Sequence, residues 1–153
     1  MKSILDLCRE LPASEPEIRE RAREFGAVLG EKVLSWQWRV SAGTGRRCLY
    51  PPGRYPAHMR ELADGAEDLV TDWDGMPLPD PFSIADAKAA TDAMRAKLWT
   101  FYIQAEYDLD FTSCKMWTWG KGQVIEVLAE ASTEELARSA AALLAAEAMR
   151  GKL

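Results

Sequence analysis

The sequence has one histidine, His58, and only three cysteines, and these shortages exclude several kinds of site. A zinc site built on two histidines is excluded, and an odd number of cysteines without CxxC spacing fits reduced thiols better than a disulfide framework. A catalytic Cys–His pair would need His58 to meet Cys48 or Cys114 across the fold, and no local motif supports this. We therefore predict no catalytic residue, no metal ligand and no cofactor.

The chain also has few features of a membrane or nucleic-acid-binding protein. No apolar run is long enough to span a bilayer, and the N-terminal MKSILDLCRELP is too charged for a signal peptide. The formal net charge is −5 over 153 residues, whereas binding nucleic acid directly needs clustered cations. We therefore expect a cytoplasmic protein with a single domain over residues 1–153 and without a membrane partner.

Alternating apolar and polar residues organise the second half of the chain. Residues 99–107 and 124–131 both alternate with the period of a half-buried strand. Residues 112–119 lie between them and are joined to the last strand by Gly120–Gly122, a connection typical of a tight hairpin. This pattern predicts a three-stranded antiparallel meander.

Helices are predicted on either side of these strands. Ser14 is a good N-cap for one long helix that continues to Trp36. Gly26 and Gly30 lie inside it, which indicates either a close approach of another element or simple tolerance of glycine. Two more helices are expected to begin at capping boxes, Ser83 with Asp86 and Ser132 with Glu135.

The first half of the chain adds a hairpin and an irregular excursion. Residues 37–40 and 47–50 flank a flexible loop and predict two paired strands, and an acidic excursion follows at residues 53–81. The order of elements predicts an α+β fold. Its antiparallel sheet has about five strands, a hairpin plus the meander, packed with helices in a sandwich-like arrangement.

Arginines are concentrated at the predicted hairpin. They are Arg39, Arg46, Arg47 and Arg54. Guanidinium groups bind phosphate in a bidentate manner, so these residues are candidates for binding a nucleotide. Pairing with the acidic excursion that follows explains the same arginines equally well.

Four of the six tryptophans come in pairs two residues apart, Trp36 with Trp38 and Trp117 with Trp119. Such a pair projects both rings to the same side of a strand. Core packing is the default interpretation, but an exposed pair would form a platform on which a base stacks. Trp38, Trp117 and Trp119 are therefore candidate stacking residues.

The acidic excursion is a candidate surface for a protein partner. Its carboxylates are Asp64, Glu67, Asp68, Asp72 and Asp74. They lack the spacing of a calcium loop, but they could imitate nucleic-acid phosphates against a basic target. An alternative is a metal-dependent hydrolase or nuclease that uses these carboxylates.

Three segments resemble phage ABA sandwich domain proteins: GEKVLSW at 30–36, PDPFSIADAKAATDAM at 79–94 and VIEVLAEASTEELARSAAALLAA at 124–146. The resemblance implies a sheet between helical layers and a phage or prophage accessory protein in the bacterial host cytoplasm, and it carries over no active-site residues. We expect a non-enzymatic binding protein that antagonises a host process, such as host defence. It would sequester a small nucleotide or bind a host protein, and it is compatible with a homo-oligomer. A structural protein of the virion is a further alternative.

Overall fold

A computed structural model describes residues 1–41, 47–52, 59–61, 78–105 and 110–150. Within these ranges lie five helices and six strands. In chain order they are α1 (Ile4–Arg9), α2 (Glu15–Glu20), α3 (Ala22–Lys32), β1 (Gln37–Ser41), β2 (Arg47–Tyr50), β3 (Met59–Glu61), α4 (Ile84–Ala96), β4 (Thr100–Ala105), β5 (Thr112–Gly120), β6 (Gln123–Ala131) and α5 (Glu134–Met149).

The strands form two antiparallel sheets, one in the order β2-β1-β3 and the other in the order β4-β5-β6. The predicted α+β class, with a hairpin and a three-stranded meander, is confirmed. The hairpin and the meander belong to separate sheets, because β1 pairs with β2 and with the short strand β3, whereas β5 pairs with β4 and β6.

The meander is regular because its turn and its side-chain alternation agree. Lys121 and Gly122 connect β5 to β6 with φ angles of 51° and 79°, a left-handed conformation that glycine adopts without strain. One side of the sheet is packed against α5, and its buried side chains include Cys114, Met116, Ile125 and Ala129. The opposite side faces outward.

Helix α5 packs against both α4 and the meander, and its contacts include small buried side chains and one buried hydrogen bond. Its alanines allow α4 to pack closely against it, and Ala137, Ala140 and Ala141 are fully buried. Ser139 is also buried, and its hydroxyl donates to the carbonyl oxygen of Pro81 at 2.9 Å. This bond attaches the segment before α4 to the centre of α5.

The predicted long helix is divided into α2 and α3 at Arg21, whose φ and ψ of −107° and 33° are not helical. The two halves pack against different elements. Glu15 of α2 accepts hydrogen bonds from the N–H and hydroxyl of Ser132. In α3, an added Cβ on Gly26 would lie 2.2 Å from the carbonyl oxygen of Pro79. The close approach suggested by the glycines is therefore present.

The two predicted capping boxes have different outcomes. Ser83 caps α4, and its hydroxyl accepts from the N–H of Asp86, as expected. The prediction of Ser132 as the cap of α5 is wrong, because Thr133 accepts from the N–H of Leu136 instead. Ser132 lies one residue before that cap, and its N–H and hydroxyl are both engaged by Glu15.

Candidate functional site

The outward side of the meander carries an unusual number of exposed aromatic and apolar side chains. We call it the aromatic face and define it by Tyr102, Lys115, Trp117, Trp119, Val124, Glu126 and Leu128. Trp119 is 72% exposed and Tyr102 is 56% exposed. The pleat explains their position, because alternate residues of each strand point away from the helices that cover the inner side.

A shallow cleft of about 280 Å³ lies in the middle of this face, lined by Tyr102, Lys115, Trp117, Val124 and Glu126. The strand register gives its geometry: Tyr102 is directly opposite Lys115, and Trp117 is directly opposite Glu126. Tyr102 and Trp117 are therefore diagonal neighbours across β4 and β5, near enough for their rings to share one contact surface.

The described charged side chains on the outward side of the meander have no excess of positive charge. Nζ of Lys115 lies 3.1 Å from Oε1 of Glu126, and both side chains are about half exposed. Glu130 continues the outward side of β6 and adds a second carboxylate. A phosphate group would need an excess of positive charge, so this arrangement favours a largely uncharged, apolar contact.

The candidate residues of the predicted hairpin lie elsewhere. Trp38 is half-buried, and its indole N–H donates to Glu31 at 3.1 Å. The guanidinium of Arg39 donates to the side-chain oxygen of Gln37. Neither Trp38 nor Arg39 lines the cleft beside Trp117. The cleft therefore has an aromatic component without the described part of the arginine cluster.

Several predicted site residues lie outside the described part of the chain or are described by their backbone alone. Arg47 lies in β2 opposite Val40, but the structure describes only its backbone, and Arg46 and Arg54 lie outside the described residues. The five carboxylates of the acidic excursion, Asp64, Glu67, Asp68, Asp72 and Asp74, also lie outside them. Their roles in binding a phosphate or a protein partner stay predictions.

The cysteines are packed side chains. Cys8, Cys48 and Cys114 are all buried. Burial raises the pKa of Cys8 to about 12, and it raises the pKa of Cys114 equally, to about 12. A thiol with such a pKa stays protonated at neutral pH and is a poor nucleophile. In the described ranges, no group of three or more His, Cys, Asp or Glu residues could hold a metal ion.

Sequence reasoning identified Trp117 and Trp119 but missed Tyr102, Val124 and Leu128. A signal was present in β6, where Leu128 falls in phase with Glu126 and Glu130, the residues that alternate toward solvent. An apolar residue in the polar phase of a strand marks an exposed apolar position.

Comparison with known proteins found no matching family model, no matching curated protein and no matching solved structure. Among the helices of the described ranges, none has the length and apolar character needed to cross a membrane.

Proposed function

We propose that this chain is a binding protein that captures a protein partner on the aromatic face. The observation that carries the proposal is the exposure of Tyr102 and Trp119 beside Trp117 on the outer side of a sheet whose inner side is packed by helices. Tyr and Trp dominate the energetics of protein interfaces, because a large ring is desolvated at a small cost in side-chain entropy.

The rigidity of the supporting sheet favours the same function. The register of β5 with β6 is unbroken from Gly120 opposite Gln123 to Thr112 opposite Ala131. Cys114 and Met116, which alternate with the outward residues of β5, are fully buried. The aromatic side chains are therefore held by a fixed backbone, so little ordering entropy is lost when a partner binds.

The charge pattern favours a protein over a nucleotide as the ligand. Among the described residues that line the cleft, the one cation is Lys115, and it is paired with Glu126. A flat face with apolar and aromatic side chains and paired charges resembles the core of a protein interface, which is depleted in unpaired charge. A small nucleotide would gain stacking on Trp117 but would find no unpaired cation among the described residues of the cleft.

The biological setting that we propose is a phage or prophage protein that inhibits a host process, such as a defence system, in the bacterial cytoplasm. Its support is the resemblance of residues 30–36, 79–94 and 124–146 to phage ABA sandwich domain proteins. In that setting the partner on the aromatic face is a host protein.

Affinity capture from a bacterial lysate with three forms of the protein tests the proposal. The forms are the wild type, the double variant Tyr102→Ala with Trp119→Ala, and the control Ile84→Ala. Ile84 is an exposed apolar residue at the start of α4, so its truncation removes exposed surface without touching the sheet. We expect a stoichiometric host protein with the wild type and the control, and its loss with the double variant.

Two results would overturn the proposal. The first is capture of the same host protein by the double variant at an unchanged level, provided that circular dichroism gives all three forms the same spectrum. The second is a calorimetric signal with a nucleotide, at about 100 μM protein, that disappears in Trp117→Ala. That signal would make nucleotide sequestration the function instead.

A further inference from the structure

Strand β6 forms one edge of the meander and leaves a row of backbone groups open. The two-residue turn makes Gly120 and Gln123 a hydrogen-bonded pair, so alternate residues of β6 bond to β5. The residues that bond to β5 are Gln123, Ile125, Val127, Ala129 and Ala131, and those directed to the edge are Val124, Glu126, Leu128 and Glu130. In the described part of the chain, no hydrogen bond reaches the N–H or C=O groups of the second set.

This edge lacks most of the usual protections against pairing with another strand, and its charged side chains are limited to Glu126 and Glu130. β6 is nine residues long, contains neither lysine nor proline, and has no bulge in its register with β5. A groove of about 480 Å³ runs beside it, lined by Val127 and Leu128 on the strand and by Leu144 and Ala148 on α5. An approaching strand therefore has access to the middle of the edge.

We propose that two copies of this chain pair β6 with β6, antiparallel, across a twofold axis at Val127. The two meanders then form one continuous six-stranded sheet. Each edge supplies the N–H and C=O groups of four residues, and antiparallel pairing about Val127 satisfies all of them. This inference does not depend on the proposed function, because it rests on the open backbone groups of β6, although the side chains of Val124, Glu126 and Leu128 also belong to the aromatic face.

The positions of the acidic residues select this register. With the axis at Val127, Glu126 faces Leu128 of the second copy, and Val124 faces Glu130 of the second copy. Moving the axis to residue 126 places Glu126 against Glu126, and moving it to residue 128 places Glu126 against Glu130. Like charges directly opposite each other destabilise a strand pair, so both neighbouring registers are disfavoured.

The inner side of the paired strands is compatible with the same register. Val127 meets Val127 at the axis, and Ile125 meets Ala129 of the second copy, so each contact is apolar. The groove beside the edge carries both signs of charge, since Glu147 is ion-paired with Arg150 at 3.2 Å. The grooves of two copies therefore do not repel each other as two surfaces of the same charge sign would.

Sedimentation of the full chain and of three variants tests the pairing. Leu128 is half exposed on the outward side, so Leu128→Glu is compatible with folding. It places one new negative charge directly opposite the Glu126 carboxylate of the other copy on each side of the twofold axis. Leu128→Lys places a lysine against the same carboxylate. Thr100→Glu is the matched control. It adds a negative charge to the same side of the sheet, but on β4, which is the strand farthest from the β6 edge.

We expect the wild type to be a dimer, Leu128→Glu to raise the dissociation constant by at least about tenfold, and the other two variants to stay close to the wild type. A wild type that sediments as a monomer up to about 500 μM overturns the proposal. An equal weakening by Leu128→Glu and Leu128→Lys also overturns it, because the register predicts opposite electrostatic effects.

A cross-linking experiment checks the axis independently of any change in stability. In the proposed dimer, Val127 of one copy lies opposite Val127 of the other copy in a non-hydrogen-bonded pair. The Cα atoms of such a pair are about 4.5 Å apart, which is within the range that a disulfide spans. Val127→Cys should form a disulfide-linked dimer under mild oxidation, while Thr100→Cys, on the opposite edge strand, should not. Equal cross-linking of the two variants, or none at residue 127, contradicts the register.

Discussion

Replacing Gly26 by alanine should destabilise the protein, although alanine is the better helix former. Gly26 lies in α3, where an added Cβ would be 2.2 Å from the carbonyl oxygen of Pro79. That oxygen belongs to the backbone, so it cannot turn away as the end of a flexible side chain would. The helix and the segment before α4 would have to separate.

Gly30, one turn later in the same helix, gives a matched comparison. Its added Cβ would lie 3.2 Å from Cδ2 of Leu49 and 3.2 Å from Cγ of Pro79, which are side-chain atoms that can shift by a few tenths of an ångström. Both substitutions gain about 1 kcal/mol of helix propensity. Overpacking costs typically 1–3 kcal/mol, so we expect Gly26→Ala to be about 1–3 kcal/mol less stable than Gly30→Ala.

Urea unfolding followed by circular dichroism measures this difference directly, and thermal unfolding should show a difference of roughly 2–4 °C in Tm for each kcal/mol. The comparison between the two variants removes the helix-propensity term, because it is common to both. Equal stability of the two variants, or a Gly26→Ala protein more stable than the wild type, would refute the close packing of α3 against Pro79.

Three further predictions concern single contacts, each checked by denaturant or thermal unfolding. Burial of Glu15 raises the pKa of its carboxyl, but hydrogen bonds from Ser132 and Arg19 outweigh this and leave the pKa below its ordinary value of about 4.5. Its stabilising effect is thus present above the pKa of the unfolded chain and lost as the pH falls through the lower folded value. Glu15→Gln should therefore be destabilising at pH 7 and should approach the wild type in stability as the pH falls through that folded value. Ser139→Ala should cost about 1–3 kcal/mol, because the buried carbonyl of Pro81 loses its donor, and a neutral effect would contradict this. Thr133→Ala should cost about 1 kcal/mol through loss of the α5 cap, and this cost should not change with pH, unlike that of Glu15→Gln.

The regular parts of the fold were predictable because their signals are local. The alternation in β5 and β6 and the turn at Lys121–Gly122 fix the strand register within about twenty residues of sequence. The cap at Ser83 is equally local, since its hydroxyl and the N–H of Asp86 that donates to it are three residues apart. Such features need no knowledge of which elements pack together.

The structure differs from the sequence-based prediction where contacts between residues distant in sequence determine the local structure. The break at Arg21 separates a helix that contacts Ser132 from one that contacts Pro79, and neither partner is near it in sequence. At the start of α5, two adjacent hydroxyl residues compete for the cap, and Glu15 engages Ser132, which leaves Thr133 as the capping residue. Local propensity cannot resolve such a choice.

Part of the candidate site was predictable, because the period of a strand is a local signal. Two-residue spacing correctly places Trp117 and Trp119 on one side of β5, because the period of a strand is local. Whether that side is covered depends on where α4 and α5 pack. Trp36 shows the limit of the rule, since it precedes β1 and packs near Gly30 instead of sharing a strand with Trp38.

The two proposals place their surfaces side by side on one sheet, and this has a consequence for how a partner binds. Pairing through β6 makes the aromatic faces of two copies continuous, so a dimeric or repetitive partner would engage both and gain effective concentration over single-site binding. Leu128→Glu should then lower the apparent affinity for such a partner, while Tyr102, Trp117 and Trp119 of a single copy still bind it. Tyr102→Ala with Trp119→Ala should abolish binding while the dimer persists, because these side chains lie on β4 and β5 and not at the β6 edge. Loss of both properties in either variant would mean that pairing and partner binding use one surface.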